Sequence, residues 1–484
     1  MDPRTWFKDL TPYFLYLILV STIGPLLFGF HLAELNAPES VITCEKRSIR
    51  TSAEPSLPQC IEMNSVQIGL VSSIFTLGGL IGALGVGPLS ARYGRLPSMR
   101  YTTIPFTIGP IFEAAAPNIG TMALGRFISG LGAGASVVVV PIYISEIAPP
   151  AEKGFFGALT QVMVNMGILI TQLLGYFLSH DSMWRIILGV GGLIGILQAA
   201  GLVFGEESPK WMADRGQVTK AKRILRHIRG NAFDVEDEFS SWGPHASDDG
   251  DDEEETLLHN ESGDQNKSSE KRILGFFEVA RHPDTKKAVI SIVMIMLAQQ
   301  LCGINSIIMY GVKLLSGLLE ANSALLNLIV SALNIIVTAG CAPLVDKLGR
   351  KFCLLSSIFG MGTSSLLLAF GILNEIKILS AVAVLLFVSS FALGLGPVPF
   401  LLSSELVSPD AVSATQSWAL AANWIATFAV AQFFPIANAK LHGKVYFVFA
   451  GLAAFFWLFI GWFVPETKGK KTADEVWGRE RRED

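Results

Sequence analysis

Long apolar runs alternate with short polar turns along most of the chain. Runs close to the length of about 20 residues that spans a bilayer occur at 11–33, 66–90, 99–117, 121–144, 154–178 and 184–204, and again at 286–311, 322–343, 352–373, 378–403, 413–437 and 443–464. This pattern predicts an all-α membrane protein with twelve transmembrane helices. The polar stretch 205–285 separates them into two bundles of six.

The distribution of charge supports this prediction and gives it an orientation. Charged residues are 16% of the 484 residues, against about 25% in soluble domains, and they concentrate outside the apolar runs. Lys and Arg follow the second, sixth, eighth and twelfth runs, which favours a cytoplasmic location for both termini. The net charge of -4 argues against a nucleic-acid partner.

Three local patterns recur in the same order in the two halves. The turn 91–95 returns at 346–350, the segment ending at Glu146 returns at Glu405, and Glu207 returns at Glu466, with offsets of 255, 259 and 259 residues. A duplicated six-helix unit explains these repeats, and such repeats often place a substrate site at their interface. We therefore divide the chain into a first half (1–204), a central loop with a basic helical part and an acidic disordered part (205–285), a second half (286–464) and a tail (465–484).

Several short strings match one known family in order and spacing. They are GPLLFGFH at 24–31, GRF at 125–127, ESPKW at 207–211, QQLCGIN at 299–305, GPVP at 396–399 and PETKG at 465–469. Over essentially the whole chain they resemble the sugar porter family of the major facilitator superfamily, which includes facilitative glucose transporters and their proton-coupled relatives. The resemblance implies transport of a monosaccharide (a hexose) by alternating access, as a uniporter or with protons. No cofactor, metal or enzymatic activity is expected.

Neutral amides in the apolar runs are the candidate sugar ligands, because an amide both donates and accepts hydrogen bonds without the desolvation cost of a charge. The candidates are Gln161, Gln299, Gln300, Asn305, Asn334 and Asn423. By resemblance, the first five match the sugar-binding positions of the family. The alternative for each amide is a hydrogen bond that holds two helices together. Trp424 offers a flat apolar face to a sugar ring, with core packing as its alternative.

Charged residues at predicted cytoplasmic helix ends are candidate gating groups. They are Arg92, Arg95, Arg126, Glu146, Glu207, Arg350, Glu405 and Glu466. Ion pairs between the halves would break and re-form there as the halves rock, and similar residues lock the outward-open state in the family. The alternative is simple anchoring by positive charge.

The chain also departs from the family pattern at several positions. His31 stands where relatives carry Asp or Asn, Ala392 where they carry an acid, Phe400 where they carry Trp, and 296–298 reads Met-Leu-Ala in place of Gln-Leu-Ser. His31 titrates near physiological pH, and Glu34 lies one helical turn away. We therefore take His31 and Glu34 as candidates for coupling to protons, with a neutral His31 in a uniporter as the alternative.

Two loop features bear on the location of the protein. Cys44 and Cys60 share the first non-cytoplasmic loop, where a disulfide is plausible, with two free thiols as the alternative. Glu253, Leu257 and Leu258 resemble an acidic dileucine sorting signal, which would recruit a sorting adaptor. This favours a vacuolar or endolysosomal membrane over the plasma membrane.

Two readings compete with sugar transport by what we expect to be a monomer. One is a non-transporting sensor or trafficking factor with the same fold, suggested by Ala392 and Phe400. The other is a carrier of a polyol or inositol.

Overall fold

A computed structural model of the chain describes residues 10–46, 57–149, 152–230, 235–240, 242, 276–316, 323–408, 411–470 and 472–479. Every regular element within these ranges is a helix. The sorting-signal residues Glu253, Leu257 and Leu258 lie outside the described residues.

The first half contains six long helices and one short one. They are α1 (Pro12–Ala33), the short α2 (Glu39–Ile42), α3 (Ser65–Tyr93), α4 (Arg95–Ala114), α5 (Ile119–Ile147), α6 (Lys153–Leu178) and α7 (Trp184–Leu202). Three short helices of the connecting segment follow, α8 (Pro209–Ala213), α9 (Val218–Arg229) and α10 (Glu236–Ser240).

The helices of the second half are preceded by a short helix of the central loop and followed by a short helix of the tail. In chain order they are α11 (Phe276–Arg281), α12 (Pro283–Leu301), α13 (Ile304–Ser316), α14 (Ser323–Leu348), α15 (Arg350–Leu373), α16 (Lys377–Leu393), α17 (Val398–Glu405), α18 (Val412–Leu441), α19 (Val445–Phe463) and α20 (Ala473–Trp477). The expected seventh and tenth transmembrane helices are therefore each divided in two, into α12 and α13 and into α16 and α17.

Length and composition make eleven of the described helical segments suitable membrane spans, with α12–α13 and α16–α17 each counted as one. The remaining long helix of the twelve predicted, α4, is less apolar because Arg95, Arg100 and Glu113 lie within it. Large apolar side chains such as Phe177 and Trp462 are exposed on the outside, as expected for a surface that faces lipid.

The two halves repeat the same packing scheme. In the first half α3 packs on α5, α4 packs on both α5 and α7, and α1 packs on α6. In the second half α14 packs on α16, α15 packs on both α16 and α19, and α12 packs on α18. The contacts between the halves follow the same symmetry, since α3 meets α18 and α14 meets α6.

The halves are fastened to each other at one end of the molecule. We name this the loop end, because it carries the disulfide between Cys44 and Cys60. There Asn36 Nδ2 donates to the Ile308 carbonyl at 2.7 Å, and Asn36 Oδ1 accepts from the backbone N–H of Val312 at 2.9 Å. We name the opposite end, which carries Arg95 and Arg350, the basic end.

Candidate functional site

The break between α12 and α13 places polar groups in the middle of the second half. Gly303 has a φ of 100°, a conformation that suits glycine, and a side chain there would collide with the ring of Phe449. The helix therefore stops at Cys302 and restarts at Ile304. Broken helices in the interior commonly form binding sites in transporters.

A side chain joins this break to the one between α16 and α17. Gln299 Nε2 donates to the carbonyl oxygens of Leu395 at 2.6 Å and Gly396 at 3.2 Å. An unpaired carbonyl inside a membrane protein is costly, so Gln299 stabilises the second break while its own carbonyl oxygen stays available to other groups.

Four of the predicted amides form one connected network at the first break. Asn305 Nδ2 donates to Gln300 Oε1 at 2.6 Å, and Gln300 Nε2 donates to Asn423 Oδ1 at 3.3 Å. Asn423 Nδ2 donates to Gln299 Oε1 at 2.5 Å. Gln299 and Asn305, six residues apart, reach the same network because the helix is interrupted between them. Met296, one of the departures from the family pattern, borders it through its sulfur, 3.6 Å from Asn423 Nδ2.

The other two predicted amides, Gln161 and Asn334, belong to a second group that bridges the halves. Gln161 Nε2 donates to Asn165 Oδ1 at 3.4 Å, and Asn165 Nδ2 reaches Thr338 Oγ1 at 3.0 Å and Asn334 Oδ1 at 3.5 Å. Asn165 and Thr338 are absent from the sequence prediction. Each lies four residues after a predicted amide, so helical spacing would have placed it on the same face.

Trp424 follows Asn423 in the chain and contacts aromatic rings of the first half. Its ring meets the rings of Phe28 at 5.7 Å and Phe75 at 6.5 Å, both in the first half. Gly79 leaves the space for it, since a Cβ at that position would collide with the indole. Trp424 therefore packs between the halves, and its contact with a sugar stays a prediction.

The first half contains a buried charged cluster. His31 Nδ1 lies 2.9 Å from Glu34 Oε2, and Arg126 Nη1 lies 2.5 Å from Glu34 Oε1. Arg126 Nη1 also donates to the His31 carbonyl at 2.6 Å, and its guanidinium lies 4.5 Å from the centre of the Phe75 ring. His31, Glu34 and Arg126 are at most 1% exposed, so these charges are shielded from water.

Glu113 of α4 completes this cluster and was missed from the sequence. It is 0% exposed, and its Oε1 accepts from Ser129 Oγ at 2.6 Å. One side-chain ligand atom from each of His31, Glu34 and Glu113 lies within 4.8 Å of the others. A carboxylate inside the apolar run 99–117 was the available signal, because an ionisable residue within a membrane span is usually functional. The cluster already contains a cation, Arg126, and we assign no metal to it.

Arg126 does not belong with the predicted gating residues at the basic end. It lies near the start of α5, whereas Glu146 lies at the other end of the same helix. The prediction placed both residues at cytoplasmic helix ends, which is wrong for Arg126. The string 125–127 that contains it lies near the first residue of α5, at the opposite end from Glu146.

The other gating candidates form two equivalent turns at the basic end. Arg95 pairs with Glu146 at 2.7 Å, and Arg350 pairs with Glu405 at 3.1 Å. Glu207 accepts from the Arg95 backbone N–H at 2.9 Å. Each of these pairs lies within one half, whereas the sequence predicted ion pairs between the halves.

The equivalent acceptor in the second half is Glu466, which binds the backbone N–H of Arg350 at 2.9 Å. Gly94 and Gly349 have φ values of 105° and 101°, and a side chain at either would collide with the carboxylate of Glu207 or Glu466. Burial raises the pKa of Glu207, although the hydrogen bonds that it accepts from backbone N–H groups oppose this shift. Arg92 is exposed and stacks on the ring of Tyr93.

Two further departures occupy different environments. Ala392 is buried at the end of α16, whereas Phe400 on α17 is 44% exposed. The ring of Phe400 thus points away from the packed interior in this conformation.

Comparison with known proteins places the chain in a family. The profile of the family described as sugar (and other) transporter matches residues 17–477. The chain belongs to this transporter family. It is a multi-pass membrane transporter and not an enzyme, as predicted from its motifs.

Curated relatives match this transporter over nearly its full length. A probable metabolite transport protein of Saccharomyces cerevisiae is 33% identical, with 95% of this chain and 94% of the relative covered. The vacuolar protein sorting-associated protein 73 of the same organism is 31% identical, with 96% of each covered. The human facilitated glucose transporter member 3 of solute carrier family 2 is 30% identical, with 96% and 92% covered.

A solved structure supports the fold. The partially occluded inward-open conformation of the xylose transporter XylE from E. coli aligns with a TM-score of 0.75 and 24% identity, covering 95% of this chain and 100% of that one. The predicted major facilitator fold of two six-helix bundles is therefore confirmed.

Proposed function

We propose that this transporter carries a hexose across the membrane by alternating access, and that the amide network at the two helix breaks binds it. The observation that carries this proposal is the direct connection between the breaks. Gln299 holds the α16–α17 break, and Gln300, Asn305 and Asn423 extend from it as one network. A ring of hydroxyl groups is a suitable partner, because each hydroxyl both donates and accepts.

The second amide group, Gln161 and Asn334, lies where the halves meet. A sugar held at the first network can exchange hydrogen bonds with this group as the halves rock. The turns at the basic end, built around Arg95 and Arg350, then act as rigid corners of each half.

Transport by the purified protein in liposomes tests this proposal. We expect uptake of one or more hexoses, and we expect Asn305→Ala to weaken apparent sugar affinity by about tenfold, the effect of a lost hydrogen bond that leaves its partner unpaired. Asn374→Ala is the matched control, because Asn374 is an exposed amide that bonds only within its own helix turn among the described contacts. Equal effects of the two variants would contradict the assignment. A panel that includes inositol and polyols tests the alternative cargo.

We propose coupling to protons as the form of transport, because His31 and Glu34 are in contact within a buried cluster. The same liposomes with an imposed pH gradient and an uncoupler test this. If sugar transport is unaffected by the pH gradient, by the uncoupler and by His31→Asn, the protein is a uniporter, which is the alternative form.

We further propose a vacuolar or other endolysosomal membrane, cytoplasmic termini and a monomeric state. The acidic dileucine at Leu257 and Leu258, and the vacuolar name of one yeast relative, support the location. Imaging of Leu257→Ala/Leu258→Ala should show that the protein has moved away from that membrane. An unchanged location would contradict recruitment of a sorting adaptor by this signal. Mass measurement in detergent tests the monomer.

A role as a trafficking factor without transport is the rival function, and the same relative's name is the observation that favours it. The intact amide network counts against it. Absence of uptake for every solute in the panel would support the rival.

A further inference from the structure

The buried cluster of the first half contains more negative than positive charge. Glu34 and Glu113 face a single guanidinium, that of Arg126, and all three side chains are at most 1% exposed. Carboxylates this close to each other, within 4.8 Å, resist being ionised together. One bound proton brings two carboxylates and one guanidinium to neutrality.

The hydrogen bonds indicate where that proton resides. His31 Nδ1 contacts Glu34 Oε2 at 2.9 Å, but His31 Nε2 has no hydrogen-bond partner among the described residues. A charged imidazolium would leave a buried N–H unpaired, which is costly. A neutral His31 that donates from Nδ1 to Glu34 avoids that cost.

Glu113 offers the remaining position. Its Oε1 accepts from Ser129 at 2.6 Å, whereas its Oε2 is buried and has no partner within the described part of the chain. Among the described residues, the other charged or titratable groups that interact with it are His31 and Glu34 of α1 and Arg126 of α5. Tyr310 of α13, in the second half, interacts electrostatically with Arg126.

We propose that Glu34 and Glu113 share one proton, and that Glu113 is the second carboxylate of the proton site that this transporter loads and releases in each cycle. The proton comes from water on one side, binds a carboxylate oxygen, and leaves to water on the other side, so no other reactant is required. This inference rests on the proton-coupled form of the proposed function and adds to it a residue of α4.

The site is connected to the contact between the halves. Glu34 lies two residues before Asn36, the side chain that holds α13 through Ile308 and Val312. The same α13 begins at the break beside Asn305. A change in the charge shared by Glu34 and Glu113 therefore acts on the end of α1, next to the contact that must release when the loop end opens.

Infrared spectroscopy tests proton sharing without any transport assay. We expect the full-length protein at neutral pH to show the carbonyl band of a protonated carboxylic acid, and we expect Glu113→Gln and Glu34→Gln each to lose it. A wild-type protein without the band, or a Glu113→Gln protein that keeps it, would overturn the proposal.

Transport in liposomes of a hexose that the wild type takes up tests the coupling. With one proton per sugar, a gradient of one pH unit supports about tenfold accumulation. Glu113→Gln, neutral without a proton, should lose this accumulation while keeping exchange of labelled for unlabelled sugar. Gradient-driven accumulation in Glu113→Gln equal to the wild type would overturn the proposal.

Two further variants keep the test decisive if Glu113→Gln does not fold. Glu113→Asp should restore accumulation, and Ser129→Ala should retain coupling with its pH midpoint moved upward, because the ionised carboxylate loses a donor. An unmoved midpoint in Ser129→Ala would count against Glu113. Failure of the wild type to transport any sugar contradicts the proposed function alone, since the infrared result stands separately.

Discussion

The two halves share a packing scheme but bury different chemistry. The first half encloses charges, with Arg126 between Glu34 and Glu113, whereas the second half encloses neutral amides around Gln300 and Asn305. Both groups lie inside their bundles, next to helices that contact the other half. Two halves with the same packing scheme thus hold two kinds of polar site.

This difference indicates a division of work. An amide stays uncharged at every physiological pH, so under the proposed function the second half binds sugar hydroxyl groups in the same way at any proton concentration. A cluster with an unbalanced carboxylate responds to that concentration. Substitutions in the two halves should therefore differ in both size and pH dependence.

The largest expected effect is that of Arg126→Leu. It leaves two buried carboxylates without their cation, and breaking a buried ion pair in this way costs about 3–5 kcal/mol. The loss of thermal stability in detergent should be smaller at acidic pH, because protonation neutralises the carboxylates. Asn423→Leu is the comparison in the other half, and a loss that is as large and as dependent on pH would contradict the contrast between the halves.

The next effect concerns the two equivalent turns at the basic end, where the halves have the same structure. Glu207→Ala and Glu466→Ala each remove a carboxylate that accepts backbone N–H groups, worth about 1.5–3 kcal/mol for a bond to a charged group. We expect similar losses of stability for the two variants, and additive losses in the double variant because the turns are separate. Calorimetry of the three proteins measures this, and a strongly unequal pair would show that the repeat has diverged.

Much of the fold was predictable because each signal is local. Apolar runs of membrane length mark the helices, and the repeated turns around Gly94 and Gly349 mark the two halves. The breaks at Gly303 and at 394–397 were not predicted, because the apolar pattern continues through both. Hydropathy reports burial in lipid and is insensitive to an interruption of one or two residues.

The site was predictable in part for a similar reason. The amides on the two sides of the first break, Gln299, Gln300 and Asn305, belong to a string that resembles the family. Glu113 and Asn165 belong to no such string, and their roles depend on neighbours from other helices, Ser129 and Thr338 among them. The position of Arg126 was misjudged although the run 121–144 already places it near the start of a helix and Glu146 beyond the end, so the two could not share one side of the membrane.

A smaller effect separates two neighbours in the amide network. Gln299→Ala leaves the buried carbonyls of Leu395 and Gly396 without their donor, so stability should fall by about 1–3 kcal/mol. Gln300→Ala removes the bonds to the amides of Gln299, Asn305 and Asn423 and leaves both backbone carbonyls paired, so we expect weaker sugar affinity with a smaller loss of stability. Melting temperature and transport kinetics of both variants measure this. Identical behaviour would contradict separate structural and recognition roles.

The smallest effect concerns the loop end, where the halves meet through charges. Lys313 of α13 lies 3.0 Å from Glu39 and 2.7 Å from Glu45, and the lysine is 39% exposed at its side chain. Burial raises the pKa of Glu39, and Lys313 opposes that shift. A partly exposed pair of this kind contributes less than about 1 kcal/mol.

The direction of the pH effect follows from that pKa. Opening the loop end hydrates Glu39 and returns its pKa toward the usual range, so the closed state binds a proton more tightly than the open state. Acidification through the raised pKa therefore favours the closed loop end, and a higher pH favours its opening. Lys313→Met removes the opposing charge, which should raise the pKa of Glu39 further and steepen this dependence.

Spin-label distances across the loop end at several pH values measure the populations of the closed and open states. Glu39→Gln is the variant that removes the contribution of Glu39. A flatter pH response in Lys313→Met than in the wild type would show that Glu39 stays buried when the loop end opens.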